Sequence, residues 1–161
     1  MKIISYDSAY QKQVVALILS IQQEEYKVPI TLEDQPDLLT ISEVYQTNNS
    51  NFWIAIEDNQ VIGSIALIDL GEGVGTLRKL FVTKDMRGNN KGIAKELLET
   101  LLNWSSEKKF NRIFLGTTSL FVAAHRFYEK NGFIKIIKEQ LPMTFPLLEV
   151  DTVFYEYKIK K

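Results

Sequence analysis

Apolar side chains recur at helical spacing in four stretches of the chain and crowd into short runs in seven others. Over residues 8–22, SAYQKQVVALILSIQ, the positions Val14, Val15, Leu17, Ile18 and Ile21 share one helix face, with Ser8 placed to cap its start. QPDLLTISEVYQT predicts a second, shorter helix after Pro36, broken by TNNSN. Between 91 and 107, Ile93, Leu97, Leu98, Leu101, Leu102 and Trp104 make one apolar stripe, and a fourth helix over 120–131 ends at Gly132. KIISY opens the chain as a strand. FWIAIE, VIGSIALIDL and GTLRKLFV follow in the middle, and NRIFLGT, FIKII and TVFYEYKI lie in the last third. EDNQ and GEGVG connect the middle strands as hairpin turns, which makes an antiparallel meander. Strand–helix–strand from 77 to 116 implies a right-handed crossover between parallel neighbours. The expectation is a single α/β domain over 1–161, a mixed and mostly antiparallel twisted sheet of six to seven strands flanked by about four helices.

Composition narrows the chemistry more than the fold. The 161 residues, 45% hydrophobic and 24% charged with net charge −1, suit one soluble globular domain. A near-zero charge gives no reason to expect nucleic acid as a partner. No run approaches the roughly 20 apolar residues of a membrane span and MKIISYDSAY lacks a signal-peptide core, so a cytoplasmic location without a membrane partner is expected. Cysteine is absent and His125 is the single histidine. Thiolate nucleophiles, soft metal sites, a histidine-built zinc site and a Ser-His-Asp triad are thereby disfavoured, and no metal is expected. Charge is unevenly spread: residues 22–58 hold eight acids against Lys27, whereas 84–112 hold seven bases against four acids. That division reads either as two solvated faces or as an anion-binding half beside a cation-receiving half.

The stretch MRGNNKGIAKELL bears on this choice. It leaves a strand and starts a helix, so free N–H groups of the first turn and the positive end of the helix dipole are available to an anion. Gly88 and Gly92 permit close backbone approach, and Arg87 and Lys91 add charge. GEGVG, by contrast, joins two strands and has no helix start behind it. GNNKGIAK lacks the spacing of a Walker loop, so ATP chemistry is not supported.

Some thirty residues downstream stands AAHRFYEKNGF. Taken together, LRKLFV, RGNNKGIAKELLETLL and AAHRFYEKNGF resemble the GCN5-related N-acetyltransferase (GNAT) family in order and spacing over residues 77–137. The resemblance implies acetyl-CoA as co-substrate, held by the fourth strand and the loop before the third helix. The family's pyrophosphate motif, Arg/Gln-x-x-Gly-x-Gly/Ala, falls with its last two positions on Gly92 and Ala94 and its first on Asn89. Arg87 and Gly88 match the usual Arg-Gly pair two residues early, so the loop is longer by two. The implied cofactor contacts are Leu80, Phe81, Val82, Arg87, Gly88, Asn89, Asn90, Lys91, Gly92, Ile93 and Ala94. Phe121 stands where the family often has an asparagine, which passes one pantetheine contact to Thr118 or Ser119. Tyr128 occupies the place of the family's proton donor.

The chemistry implied is transfer of an acetyl group to an amine by direct attack in a ternary complex. A backbone N–H at a bulge would polarise the thioester, and Tyr128 would protonate the leaving thiolate. An amine of pKa about 10.4 is neutral about once in 2,500 molecules at pH 7, so a base is needed. Glu24 and Glu25 in QQEEY and Glu72 near the strand-four entrance are the acids considered, Glu25 or Glu72 foremost. The acceptor is an amine-bearing small molecule, a peptide or protein N-terminus, or a lysine, walled by 22–35 and 139–151. A homodimer is compatible with the chain but not encoded in any motif. Two other readings share the fold: transfer to a hydroxyl or of a longer acyl group, and a non-catalytic acyl-CoA-binding or regulatory module.

Overall fold

A computed structural model describes residues 1–88 and 91–160. Along the chain these form β1 (Lys2–Ser5), α1 (Gln11–Leu19), α2 (Ile41–Tyr45), β2 (Asn51–Glu57), β3 (Gln60–Gly71), β4 (Val74–Val82), α3 (Ile93–Glu107), β5 (Arg112–Thr117), α4 (Val122–Lys130), β6 (Ile134–Ile136) and β7 (Val153–Lys158). The strands make one seven-stranded sheet in the order β1-β2-β3-β4-β5-β7-β6. Every neighbouring pair is antiparallel except β4 and β5, which run parallel with α3 as the crossover between them. The mixed, mostly antiparallel sheet and four α-helices expected from the pattern are therefore present.

Local chemistry explains the meander. Asp58 and Asn59 have φ of 51° and 62° between the paired Glu57 and Gln60, a two-residue left-handed turn that matches the twist of the flanking strands. At the next hairpin Gly71, Glu72 and Gly73 all take positive φ (86°, 58° and 74°). Alternation along β2 splits the core across the sheet. Trp53 and Ala55 join Leu97, Leu98 and Leu101 of α3, while Phe52, Ile54 and Ile56 join Val14, Leu17 and Ile18 of α1 on the other face. Trp104 meets Trp53 edge to face, 5.7 Å between ring centres, and its indole N–H donates to the Asn49 carbonyl at 2.8 Å.

Two predicted helices differ from the pattern. The first begins as a 3-10 turn over Ser8–Tyr10, so Asp7 rather than Ser8 caps it, accepting from the Ala9 N–H at 2.8 Å. Its end is a π turn over Ser20–Glu25, a wide geometry frequent at functional sites. The second splits into a 3-10 turn, Pro36–Leu39, and the short α2, because Thr40 leaves helical geometry at φ −137° and ψ 46°.

The feature that positions the site is the limited contact between β4 and β5. Val74, Gly75 and Thr76 pair with Arg112, Ile113 and Phe114, and there the pairing ends. β4 continues to Val82 beside β3, and β5 continues to Thr117 beside β7, so the two diverge. Gly75 sits at the closed end of this wedge. A Cβ there would lie 2.8 Å from Leu67 Cδ1, 3.1 Å from Phe110 Cε1 and 3.2 Å from the Ile68 carbonyl oxygen. Gly75→Ala is expected to destabilise the fold by about 1–3 kcal/mol, as overpacking does. Urea unfolding should show a lower midpoint at unchanged slope; an unchanged midpoint would mean that the wedge is loosely packed.

Candidate active site

Where β4 and β5 part, a cleft of about 700 Å³ opens through the sheet. On one side its walls are the start of α3 and the inner face of α4. On the other they are the π turn, residues 28–35 and the segment 145–151.

The β4 wall is irregular. Ser64 pairs with Phe81 and Ala66 with Arg78, so three steps on β4 answer two on β3, a β-bulge. Lys79 takes the strain with φ 57°, and the Ser64 hydroxyl donates to its carbonyl at 2.7 Å. A left-handed lysine inside a strand costs roughly 1–2 kcal/mol and persists only where its surroundings hold it. Here they do: the buried Lys79 ammonium donates to Gln35 Oε1 and lies 3.5 Å from Asp37 Oδ2. Tyr45 donates to the same Asp37 oxygen at 2.5 Å, and Gln35 donates to Gln22 Oε1 at 2.7 Å. Burial pushes the Lys79 pKa down to about 8, against the pull of Asp37. Leu80, Phe81 and Val82 follow along the same wall.

The start of α3 forms the opposite end. Gly92 precedes the helix at φ 61°, accepting from the Glu96 N–H at 3.0 Å. Among the described residues, no atom beyond the adjoining ones lies within 4 Å of where a Cβ of Gly88 or Gly92 would sit. Gly92, Ile93 and Ala94 line the cleft, which leaves first-turn N–H groups beside open space. Asn89 and Asn90 lie outside the described residues. Lys91 is exposed and donates to the Asp85 carbonyl at 2.9 Å, away from the cleft wall.

Arg87 lines the cleft, but its fork is already engaged. Both terminal nitrogens hold Glu25, one on Oε1 at 2.7 Å, and Nε donates to the Val82 carbonyl at 2.8 Å. Glu25, expected as a base, is thus placed in an ion pair. Hydrogen bonding to Arg87 keeps its carboxylate pKa below 4.5, and its side chain is not part of the cleft wall. Glu72, the other acid expected as a base, lies apart from the cleft wall. It is exposed at the β3–β4 hairpin, and at about 3.3 Å per residue the length of β4 from Val74 to Phe81 is about 23 Å. Ser119 is exposed and outside the wall, whereas the neighbouring Thr118 is buried within it. His125 contacts the Thr118 carbonyl at 2.9 Å through Nε2. Phe121 meets Tyr26 edge to face at 4.7 Å, linking the start of α4 to the π turn.

Tyr128 is 5% exposed, lines the cleft, and packs its ring 5.5 Å from Phe133 and 5.8 Å from Tyr155. Burial raises its pKa above the usual value, so the phenol stays protonated at neutral pH. Sequence reasoning missed Asp151. It lines the cleft, packs against Gly116, where a Cβ would come within 2.8 Å of its Oδ2, and has a pKa raised chiefly by burial. It also passed over Arg78 and Lys79, although two adjacent cations inside an apolar strand were a visible signal.

The acetyltransferase (GNAT) family model matches residues 15–133. The N-acetylaspartate synthetase of Xenopus tropicalis is 34% identical over 119 residues, 70% of this chain and 43% of that protein, so the chain spans less than half of that relative's length. An acetyltransferase of the GNAT family from Staphylococcus aureus Mu50 superimposes with a TM-score of 0.95 at 38% identity, covering 99% of both chains. The N-acetylglutamate synthase from Neisseria gonorrhoeae, solved with coenzyme A and N-acetyl-glutamate, shares the fold with a TM-score of 0.77 at 18% identity, over 99% of this chain and 35% of that one.

The Glu25–Arg87 pair gives a pH test. Because the folded pKa of Glu25 is depressed, its contribution is complete above the unfolded value near 4.5 and is lost as pH falls through the folded value. Glu25→Gln should cost about 1 kcal/mol at pH 7, the upper end for a partly exposed pair. The difference from the parent chain should shrink below pH 4.5, as followed by urea titrations at stepped pH. A pH-independent difference would show that the pair contributes through shape and not charge.

Proposed function

Because the chain belongs to the GNAT acetyltransferase family, we propose that it transfers the acetyl group of acetyl-CoA to an amine by direct attack within a ternary complex. The observation that carries this reading is the cleft through the sheet between β4 and β5, open at a helix start and walled by a buried, protonated tyrosine. The Xenopus tropicalis relative, an N-acetylaspartate synthetase by name, agrees with an amine acceptor.

Each role follows from what the residues can do. The α3 start, with Gly88 and Gly92 leaving room beside it, suits the pyrophosphate. The β4 edge at Leu80, Phe81 and Val82 has no β5 partner and suits the amides of the pantetheine arm. Acetyl-CoA supplies an activated thioester. A backbone N–H freed at the Lys79 bulge is the natural donor to its carbonyl oxygen. The acceptor nitrogen bonds to the carbonyl carbon as the carbon–sulfur bond breaks. Asp151 takes the proton that the amine loses, its burial-raised pKa making it a better base than the ion-paired Glu25. Tyr128 gives its proton to the departing thiolate. The absence of cysteine fits direct transfer over an acetyl-enzyme on sulfur.

A thiol-release assay over a panel of amines tests the reading, and tight coenzyme A binding without release on any acceptor would favour a binding module instead. Tyr128→Phe keeps the ring contacts and removes only the hydroxyl. Turnover should fall about 10²- to 10⁴-fold with acetyl-CoA affinity within a few-fold of the parent, and full activity would reassign the proton to another group. Gly92→Val should weaken coenzyme A binding about tenfold or more in calorimetric titration, because a branched side chain fills the approach and is strained at φ 61°. Unchanged affinity would remove the α3 start from the site.

A further inference from the structure

We infer that the acceptor bears a carboxylate beside its amine, and that Arg78 and Thr76 bind that carboxylate in the cleft; the inference rests on the acetyl-transfer reading above.

Thr76 is the last residue of β4 paired to β5, so it marks the floor of the wedge. It is 1% exposed and lines the cleft, and among the described residues its Oγ1 is the buried side-chain oxygen or nitrogen left without a hydrogen-bond partner. Buried hydroxyls are almost always satisfied, so an orphan on a residue that lines a cavity points to a ligand atom as the missing partner. Arg78 lies two residues on, on the same face of the strand, and also lines the cleft. Among the described residues it forms no salt bridge within 4.0 Å, whereas Arg87 and Arg112 hold Glu25 and Glu156.

The neighbouring charges do not remove this imbalance. Lys79 is matched by Asp37, which Tyr45 fixes in turn. Asp151 is near enough for Arg78 and Lys79 to lower its pKa against burial, yet it pairs with neither within 4.0 Å. On its β4 wall the cleft therefore offers a guanidinium outside any ion pair, Arg78, the other such guanidinium, Arg126 of α4, being exposed, and beside it the free carboxylate of Asp151, set among Ile21, Val28, Ile30 and Leu148. A molecule carrying a carboxylate and an ammonium complements both. Its carboxylate accepts from the Arg78 fork and the Thr76 hydroxyl, and its ammonium faces Asp151, where it must lose a proton. A polycationic amine would set its second charge against the unpaired Arg78, and a plain alkylamine would leave Arg78 and Thr76 unmatched.

The test is thiol release from acetyl-CoA by the parent chain with the L-amino acids, their matched carboxamides and alkyl diamines. The carboxamides have the more readily deprotonated amines, so intrinsic reactivity favours them. The expected result is the reverse, with kcat/KM for at least one acid about 10- to 100-fold above its carboxamide, the scale of a charge-assisted pair. Arg78→Met should bring that ratio to within a few-fold of one, chiefly through KM. Arg78→Lys, a second variant that keeps the charge and loses the fork, should recover only part of it, and Thr76→Val should lower it three- to tenfold. Equal or better use of carboxamides or diamines by the parent chain would overturn the inference while leaving acetyl transfer intact, as would an Arg78→Met chain that keeps its preference. Release above the amine-free background with none of the amines would overturn the acetyl-transfer reading itself, and this inference with it.

Discussion

Three paired residues on each of two parallel strands set the terms for everything else in this molecule. β4 and β5 are joined only from Val74 to Thr76, and each is held on its other side by a long antiparallel partner, β3 for one and β7 for the other. Those outer ladders are continuous enough to keep both strands rigid while they diverge. A sheet that was fully zipped at this point would have no interior cavity. One that parted completely would lose the connection between its β3 and β7 halves. The packed floor at Gly75 and Thr76 marks where zipping stops.

Strain and charge accumulate around that parting. The extra residue in β4 puts Lys79 in left-handed geometry, and the Gln35, Asp37, Ser64 and Tyr45 contacts hold it there. Buried polar groups of this kind are tolerated only as a connected network, since one missing member leaves a neighbour desolvated and unmatched. The same network runs into the π turn through Gln22, and Glu25 at the end of that turn holds Arg87 in front of α3. The two sides of the cleft are thus tied by side chains rather than by backbone pairing.

The parts legible in the sequence were those governed by local periodicity. The α3 stripe, the two hairpins and the parallel crossover follow from spacing within a window of about twenty residues, and all are present. The α1 region was misjudged where local geometry changes from 3-10 to α to π, because apolar spacing is much the same in all three. Side-chain partnerships across long separations were not legible. Glu25 reads as a free acid until Arg87, 62 residues later, is found holding it. Glu72 reads as near the strand entrance until β4's length is laid out in space. Asp151 ends a segment without periodicity, and only the packing of that segment over Gly116 brings it to the cleft.

The unpaired side of β4 also bears on self-association. Strand edges are normally found at the rims of sheets, where open N–H and C=O groups invite another chain to add on, and proteins blunt them with charge, proline or a covering helix. Here an edge exists in the middle of a sheet, from Leu77 to Val82, recessed between α3, α4 and the 145–151 segment. A β-strand from another molecule would arrive with side chains on both faces and with neighbours of its own. A recess of about 700 Å³ is of the size that suits a small ligand, not a sheet. The arrangement keeps a binding-competent edge available while denying it to other proteins, so a surface that would be an aggregation hazard at the rim is safe in the interior.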